Sequence, residues 1–325
     1  DPITPILPDP HPASLRSTFM RLVFAGTPSA AVPTLLRLAD EHDIAAVVTR
    51  PDAPLGRKRV LTPSPVAQAA ADLGLPIIKA ARLGDEATEA IAALQVELGV
   101  IVAYGGLVRE PLLSTPAKGW INLHFSLLPQ WRGAAPVQRA LIAGDAQLGA
   151  SVFQLVPALD AGDVFATRVV DVAAGATADA ALATLAVDGA QLTAEVVQAI
   201  ADGTARAVPQ HGEPTLAPKL TLDDGLLDWS QPLAQVFARF RGVTPEPGAH
   251  TTVDGLRLKI LEAAPSSDVV TLEPGEIIAT KSALLIGTGS TPLSVARVQP
   301  AGKGAMNAVD WWRGQRDTDG LRAGA

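Results

Sequence analysis

Short runs of apolar residues alternate with longer amphipathic segments along the N-terminal part of the chain. The runs are rich in Val, Ile and Leu and predict strands, whereas the segments between them carry apolar residues at helical spacing. Alternation of this kind is typical of an α/β fold with a doubly wound, mostly parallel sheet. The predicted strands are 22–25, 44–49, 77–79, 100–103, 121–125, 151–156 and 164–170, and the predicted helices are 30–39, 65–73, 86–98, 136–143 and 178–201.

The pattern changes over residues 203–222, where Pro, Gly, Thr and polar residues dominate, as expected of a linker. A helix is predicted over 233–241. The short apolar runs that follow are separated by Gly and Pro at the spacing of a small barrel or sandwich. We therefore predict one domain over residues 20–205 and a second over residues 206–325. The apolar runs of the second domain are 256–261, 275–280, 283–287 and 293–299.

The composition is that of a globular protein, since 48% of the 325 residues are hydrophobic and 18% are charged. The absence of cysteine excludes disulfides, thiolate metal sites and a cysteine nucleophile. No uninterrupted apolar stretch reaches the length of a membrane span, so none is predicted. Residues 1–19 hold five prolines and no apolar run. We predict that they form an extension outside the fold, either disordered or left by cloning.

The net charge of −7 argues against a nucleic-acid partner, but the charges are not evenly spread. One dense basic cluster, Arg50, Arg57, Lys58 and Arg59, lies in a Pro- and Gly-rich loop before residue 65. A long loop in a compact α/β domain is more often functional than idle, although a basic run by itself is usually a solvated surface. A local patch of this kind can bind phosphate on an acidic protein.

Asn122 and His124 stand two residues apart at the end of the predicted strand 121–125, so their side chains point to the same face. An amide that can hold a developing oxyanion beside a base that titrates near neutral pH suits acyl transfer. A carboxylate at Asp160 could orient the imidazole. The simpler alternatives are two satisfied core residues and, for Asp160, a local Asx-turn.

Other chemistries fit less well. Ser126 near His124 suggests a Ser–His–Asp hydrolase, but the G-x-S-x-G elbow is missing. The turn Gly26-Thr27-Pro28 lacks the G-x-G-x-x-G spacing of a dinucleotide site. The five histidines are scattered, and none is at ligand spacing from another, so no metal site is predicted.

The residues after His124 continue as S-L-L-P and W-R-G-A-A-P, and L-D-x-G-D places Asp160 36 residues beyond the histidine. This pattern resembles the folate-dependent formyltransferases. The resemblance implies a Rossmann-like catalytic domain, 10-formyltetrahydrofolate as formyl donor, no metal, and a catalytic trio of Asn122, His124 and Asp160. The folate-binding positions implied are Ser126, Leu127, Leu128, Pro129, Val102, Tyr104 and Gly105.

The resemblance is closest to the tRNA-directed branch of that family and extends from residue 20 to about residue 316. It rests on the basic loop and on A-P-K-L at 217–220, D-G-x-x-D-W at 224–229 and Q-P-A-G-K at 299–303. It implies a smaller OB-like β-barrel as second domain and initiator methionyl-tRNA as partner. A cytoplasmic monomer without membrane contact is expected. The tRNA-binding positions implied are Arg57, Lys58, Arg59, Lys219 and Lys303.

Three positions depart from the usual pattern: Gln130 replaces a common Arg, Glu246 a common aromatic residue and Gly304 a common Lys. Two of these changes remove positive charge, which bears on tRNA contact and not on the trio. Two alternative functions stay open. A nucleotide-sugar N-formyltransferase shares the N-x-H-x-S-L-L-P motif but has no need of the basic loop or the second domain. A catalytically silent tRNA- or folate-binding protein has no need of the trio.

Overall fold

The computed structural model describes residues 19–56, 59–268, 270–316 and 318–324. The predicted extension therefore lies outside the described residues except for Phe19. The elements of the N-terminal part are β1 (Arg21–Gly26), α1 (Val32–Glu41), β2 (Asp43–Thr49), β3 (Ala53–Leu55), β4 (Val60–Thr62), α2 (Pro65–Asp72), β5 (Ile77–Lys79), α3 (Asp85–Ala93), β6 (Leu98–Val102), β7 (Trp120–His124), β8 (Arg132–Gly133), α4 (Pro136–Ala143), β9 (Leu148–Gln154), β10 (Val164–Val170) and α5 (Ala178–Ala201).

Seven of these strands form one sheet in the order β10-β9-β7-β6-β1-β2-β5. The five strands from β7 to β5 are parallel, and β9 and β10 are antiparallel to their neighbours. The two faces of β1 belong to separate cores. Leu22 and Phe24 pack in the cluster that contains α1 and α5, whereas Val23 and Ala25 pack with Ile91 of α3. A strand buried on both faces needs a continuous apolar run, which is why β1 and β6 were recognisable. The predicted doubly wound, mostly parallel sheet is confirmed.

Two predictions for this part were wrong in detail. The helix predicted over 86–98 ends at Ala93, and β6 begins at Leu98. Gln95 between them has φ 51°, in the left-handed region that ends helices, although no glycine marked the turn. The loop before residue 65 also contains two short antiparallel strands that pair with each other, β3 and β4. Arg57 and Lys58 lie outside the described residues.

Helix α5 is the one element of the described residues that is long and apolar enough to cross a membrane, since it has 24 residues and contains a stretch of 18 with a mean hydropathy of 1.2. Of that stretch, 56% is buried inside the protein. The helix packs against α1, β9 and β10. Its apolar composition is therefore accounted for by its place in the core.

The C-terminal part is a separate antiparallel sheet in the order β12-β13-β16-β15-β14, with β17 also paired to β16. The elements of this part, with the short linker strand β11, are β11 (Leu216–Ala217), α6 (Leu233–Val243), β12 (His250–Val253), β13 (Leu256–Pro265), β14 (Ile277–Ala279), β15 (Leu284–Ile286), β16 (Leu293–Pro300), β17 (Met306–Asn307) and α7 (Ala308–Arg313). The predicted second, barrel-like sheet is thus present, and β12, β17 and α7 were missed.

The C-terminal segment joins the two edges of this sheet. Ala323 forms a bridge with Val253 at the end of β12, and Arg322 forms one with Glu276 just before β14. The amide of Ala323 donates to the carbonyl oxygen of Gly275 at 2.8 Å. Two residues therefore occupy the gap that would otherwise leave two unpaired edges open to another chain.

The two sheets meet through α4 and α6. A side chain at Gly242 of α6 would bring its Cβ to 2.6 Å from Cγ1 of Ile142 and 2.7 Å from the carbonyl oxygen of Gln138. Beside this contact, Arg139 binds both carboxylate oxygens of Asp224, at 2.8 and 3.2 Å. Helix α4 begins at Pro136, the last residue of W-R-G-A-A-P, so this interface lies next to the segment that follows His124.

We predict that His42 makes the protein less stable in acid. His42 follows α1, is 5% exposed, and neither ring nitrogen has a hydrogen-bond partner within the described ranges. Burial lowers the pKa of His42 below 6.5, against the opposing charge of Glu41. Because the unfolded chain binds this proton more readily, the free energy of unfolding falls as the pH drops below about 6.5.

Urea unfolding at pH 7.5 and pH 5.0 measures this effect. His42→Leu is expected to lose less of its unfolding free energy between the two pH values than the parent protein. The exposed His211 offers a matched control, since His211→Leu should keep the parent's dependence on pH. Equal losses in the parent and in His42→Leu would contradict the prediction.

Candidate active site

Asn122 and His124 lie on one face of β7 at its carboxyl end, where parallel sheets bind their ligands. In register they stand opposite Phe153 and Ser151 of β9. The oxygen Oδ1 of Asn122 is buried, and it has no hydrogen-bond partner in the part of the chain that the structure describes. A buried polar atom without a partner costs about 1–3 kcal/mol, so its retention indicates a ligand-binding role. Satisfied core polarity, the simpler alternative, does not describe Asn122.

The imidazole of His124 is hydrogen-bonded at Nε2 and faces a carboxylate at Nδ1. Its Nε2 lies 2.8 Å from the carbonyl oxygen of Trp131, which can only accept, so Nε2 carries the proton and donates. Its Nδ1 lies 3.8 Å from Oδ2 of Asp160. Burial lowers the pKa of His124 below 6.5, while the Asp160 carboxylate and the Trp131 carbonyl act in the opposite direction. At neutral pH the ring is therefore uncharged, with an unprotonated Nδ1 available as a base.

Asp160 reaches the imidazole from the loop between β9 and β10. It has φ 45°, an uncommon conformation for a residue other than glycine. Its Oδ2 accepts the amide hydrogen of Gly133 at 2.7 Å, across 27 residues of sequence. The carboxylate thus makes a long-range bond and not the local Asx-turn considered from sequence. Gly133 has φ 129°, and a Cβ there would lie 2.7 Å from the carbonyl oxygen of Ala217, so this donor position requires glycine.

The predicted folate corner is a tight turn tied to β9. The hydroxyl of Ser151 donates to the carbonyl oxygen of Ser126 at 2.8 Å and accepts from the amide of Leu128 at 3.2 Å. Ser126 Oγ donates to the carbonyl oxygen of Gln130 at 2.5 Å and not to His124, so the Ser–His contact of a hydrolase is missing. Ser126 and Pro129 are buried, whereas Leu127 and Leu128 are half-buried. The two leucines are the corner residues with side-chain surface left for a ligand.

At the end of β6 and just after it, two of the predicted folate positions have buried side chains. Val102 and Tyr104 are buried, and the Tyr104 hydroxyl donates to the carbonyl oxygen of Ala80 at 2.7 Å. Burial raises the pKa of that phenol, against the charge of Arg50. Gly105 is exposed. Any contact of Val102 or Tyr104 with a pterin is therefore limited to main-chain atoms, which changes how these two predicted folate positions are to be understood.

Two residues that sequence reasoning did not assign hold this segment. Thr27 Oγ1 donates to the carbonyl oxygen of Tyr104 at 3.2 Å, and Arg50 Nε donates to the same oxygen at 3.4 Å. Arg50 also donates to the carbonyl oxygen of Gly105. Arg50 was noted only as one charge of the basic cluster. Its neighbours in sequence give no sign that its side chain binds these two carbonyl oxygens.

The positions expected to bind tRNA are separated along the chain. Arg57 and Lys58 lie outside the described residues. Arg59 is exposed just before β4, Lys219 is exposed after β11, and Lys303 is exposed after β16. No group of three or more His, Asp or Glu side chains that could hold a metal ion occurs within the described ranges.

Comparison with known proteins gives the family. The formyl transferase family matches residues 20–197, and the C-terminal domain of formyl transferases matches residues 219–316. The methionyl-tRNA formyltransferase of Clavibacter sepedonicus is 62% identical over 301 residues, which cover 92% of this chain and 99% of that protein. The chain belongs to the formyl transferase family, among the methionyl-tRNA formyltransferases. The Streptomyces coelicolor member is 47% identical over 94% of this chain and 100% of its own length.

More distant proteins of known structure share the fold alone. An N-formyltransferase from Helicobacter canadensis, in complex with folinic acid and dTDP-3-aminofucose, has a TM-score of 0.67 at 14% identity and covers 87% of this chain and 100% of its own. HypX from Aquifex aeolicus, in complex with tetrahydrofolic acid, has a TM-score of 0.60 at 17% identity, and this chain spans about half of it, 47%. Because the fold of the Helicobacter canadensis protein covers most of this chain, the presence of a second domain does not distinguish a sugar-directed from a tRNA-directed formyltransferase. The high sequence identity to methionyl-tRNA formyltransferases does.

We predict that neutral His124 carries its proton on Nε2 and that the charge of Asp160 raises the pKa of His124. Asp160→Asn removes the negative charge that stabilises the imidazolium, so the pKa of His124 should fall further. Histidine-selective ¹H–¹⁵N NMR across a pH titration measures the tautomer and the midpoint together. An Nδ1–H tautomer in the parent, or an unchanged midpoint in Asp160→Asn, would contradict this description of the site.

Proposed function

We propose that the protein transfers the formyl group of 10-formyltetrahydrofolate to the α-amino group of methionine on charged initiator tRNA, in support of translation initiation. The observation that carries the proposal is the buried Asn122, whose Oδ1 has no partner among the described residues, beside a neutral His124 that is hydrogen-bonded to the Trp131 carbonyl and lies 3.8 Å from the Asp160 carboxylate. The close relatives that are methionyl-tRNA formyltransferases support the choice of acceptor.

The acceptor amine attacks the carbonyl carbon of the formyl group. A free α-amino group titrates near ~8, so at neutral pH a nearby base increases the fraction that can react. Charge grows on the formyl oxygen as the new C–N bond forms. The Asn122 amide donates to that oxygen, and loss of one such donor typically costs roughly 3–4 kcal/mol of barrier.

His124 moves the proton. Because Nε2–H is already bound to the Trp131 carbonyl, the proton from the attacking amine goes to Nδ1, where the Asp160 carboxylate at 3.8 Å stabilises the imidazolium. The same proton then passes to N10 of the folate as the bond from N10 to the formyl carbon breaks. His124 therefore begins as a base and ends as an acid.

The acceptor is held by parts of the chain outside the trio. We assign phosphate contacts to Arg57, Lys58 and Arg59, which lie between β3 and β4 in the sequence, and to Lys219 and Lys303, since phosphate contacts supply most of the affinity for nucleic acid. The proposed division places the chemistry in residues 20–205 and the remaining tRNA contacts in 206–325. One chain holds every assigned residue, which supports a monomer, and the tRNA acceptor supports a cytoplasmic protein without membrane contact.

We expect Asn122→Ala to lower kcat by about 10²- to 10³-fold because it removes the oxyanion donor. His124→Ala and Asp160→Ala should also reduce turnover severely, by loss of the base and of its charge partner. Single-turnover formyl transfer to charged initiator tRNA measures each rate, and circular dichroism confirms that each variant is folded. A near-normal rate in any of the three would remove that residue from its assigned role.

We expect Arg57→Ala to raise KM for whole tRNA and to leave kcat nearly unchanged, since a phosphate contact binds without taking part in the reaction. A minimal aminoacyl acceptor should show no such defect. Lys281→Ala removes an exposed charge elsewhere and serves as the matched control. An equal defect with the minimal acceptor would contradict a tRNA contact.

The same assay separates the alternatives. Formylation of an aminosugar nucleotide in place of charged tRNA would favour the sugar-directed branch, and formylation of neither acceptor would favour a silent binding protein.

A further inference from the structure

The segment that connects the two domains is hydrogen-bonded directly to the W-R-G-A-A-P loop after His124. Strand β11 in this segment pairs in parallel with β8, so that Leu216 stands opposite Arg132 and Ala217 opposite Gly133. Further upstream, Val208 forms a bridge with Val164 of β10. Residues 208–217, here called the linker strap, therefore lie across the site and are paired with strands of the first domain.

Gln210 in the linker strap uses both ends of its side-chain amide. Its Nε2 donates to the carbonyl oxygen of Asp160 at 2.8 Å and to that of Gly162 at 2.9 Å. Its Oε1 accepts from Nη2 of Arg132 at 2.7 Å and from Nε at 3.2 Å. Two donors and two acceptor positions are thus all occupied, which is the full capacity of this side chain.

These bonds fix Asp160 from two directions. Gln210 holds the carbonyl oxygen of Asp160, whose left-handed backbone needs support from its surroundings. Gln210 also holds Arg132, and the next residue, Gly133, donates to the Asp160 carboxylate. One amide therefore sets the position of the carboxylate and of the group that orients it.

Thr215 holds the other partner of the imidazole. Its Oγ1 accepts the amide hydrogen of Trp131 at 2.8 Å and donates to Oε1 of Gln130 at 2.8 Å. Trp131 has φ 61°, again an uncommon value for a residue other than glycine, and its carbonyl oxygen accepts from Nε2 of His124. Both groups that contact His124 are thus residues in left-handed backbone, and each is bonded to the linker strap.

We propose that Gln210 and Thr215 are positioning residues for formyl transfer, which hold Asp160 and Trp131, and through them His124, in the reactive geometry. This inference rests on the proposed function for its kinetic readout. Neither residue touches the reacting atoms. Small displacements of a catalytic group can cost about 10²-fold in rate even when the altered residue is remote from the chemistry.

The test uses the full chain with charged initiator tRNA and 10-formyltetrahydrofolate. Gln210→Ala and Thr215→Val should each lower kcat about 10- to 100-fold with KM for both substrates changed less than twofold. Thr215→Ser keeps the hydroxyl and should recover most of the rate. His211→Ala, an exposed neighbour in the same strap, should behave as the parent protein.

A second readout does not depend on turnover. In Gln210→Ala, histidine-selective NMR should show the His124 titration midpoint displaced toward lower pH, because Asp160 no longer stays close to the ring. Thermal unfolding of each variant separates misplacement from loss of fold.

Several results would overturn the inference. A rise in KM for tRNA with kcat intact would assign the strap to acceptor binding. Equal defects in Thr215→Ser and Thr215→Val would exclude the hydroxyl bond, and an unmoved His124 midpoint in Gln210→Ala would exclude the effect on Asp160. A parent protein that transfers no formyl group would contradict the proposed function instead. The NMR result would then still decide whether Gln210 positions Asp160.

Discussion

The hydrogen bond from Nε2 of His124 to the carbonyl oxygen of Trp131 is the interaction on which the candidate site depends. It fixes the tautomer of a buried imidazole and turns the basic nitrogen toward Asp160. The position of that carbonyl follows in turn from the sheet. Ser151 of β9, which stands opposite His124, ties down the corner at Ser126 and Leu128 that leads to Trp131. The pairing of β7 with β9 thus helps to position the Trp131 carbonyl and, through it, determines which ring nitrogen of His124 carries the proton.

The strain of this region is concentrated around the same residues. Among the described residues other than glycine, six have positive φ, and Ala103, Trp131 and Asp160 are three of them. Each lies at a strand end or loop of the site. Conformations of this kind cost of order 1–3 kcal/mol each and persist where the surroundings over-determine them. The unpartnered Oδ1 of Asn122 adds a further cost. The well-packed central strands β1 and β6, buried along nearly their whole length, are the part of the fold that can offset it.

Much of the architecture could be predicted because it depends on local pattern. Strands buried on both faces appear as apolar runs, and the i, i+2 spacing of Asn122 and His124 places them together without knowledge of the fold. What the pattern does not contain is the pairing of distant segments. Gln210 lies in a stretch whose composition is that of a linker, and Arg50 looks like one charge of a surface cluster.

The local pattern also does not predict which way a side chain points or how the two edges of a sheet are joined. Tyr104 was expected to contribute to a ligand pocket, but its side chain is buried, and the left-handed Ala103 separates it from the end of β6. The two residues that join the edges of the C-terminal sheet, Arg322 and Ala323, are too few to form a recognisable strand. In each case the missing information is a long-range contact that single-sequence periodicity does not encode.

The linker strap has a consequence for how this chain could have diverged. Segments between domains usually tolerate insertions and deletions, because few contacts constrain their length. Here the pairing of β11 with β8 and the bonds of Gln210 tie the linker to the first domain at two places, so a change of one residue in length between them would displace one or the other. We therefore expect gaps among relatives to gather at Gly255 and Gly302, glycine turns with open space around them, and to avoid residues 208–217. A catalytic fragment cut at residue 205 would lose part of its own active site, and not only its second domain.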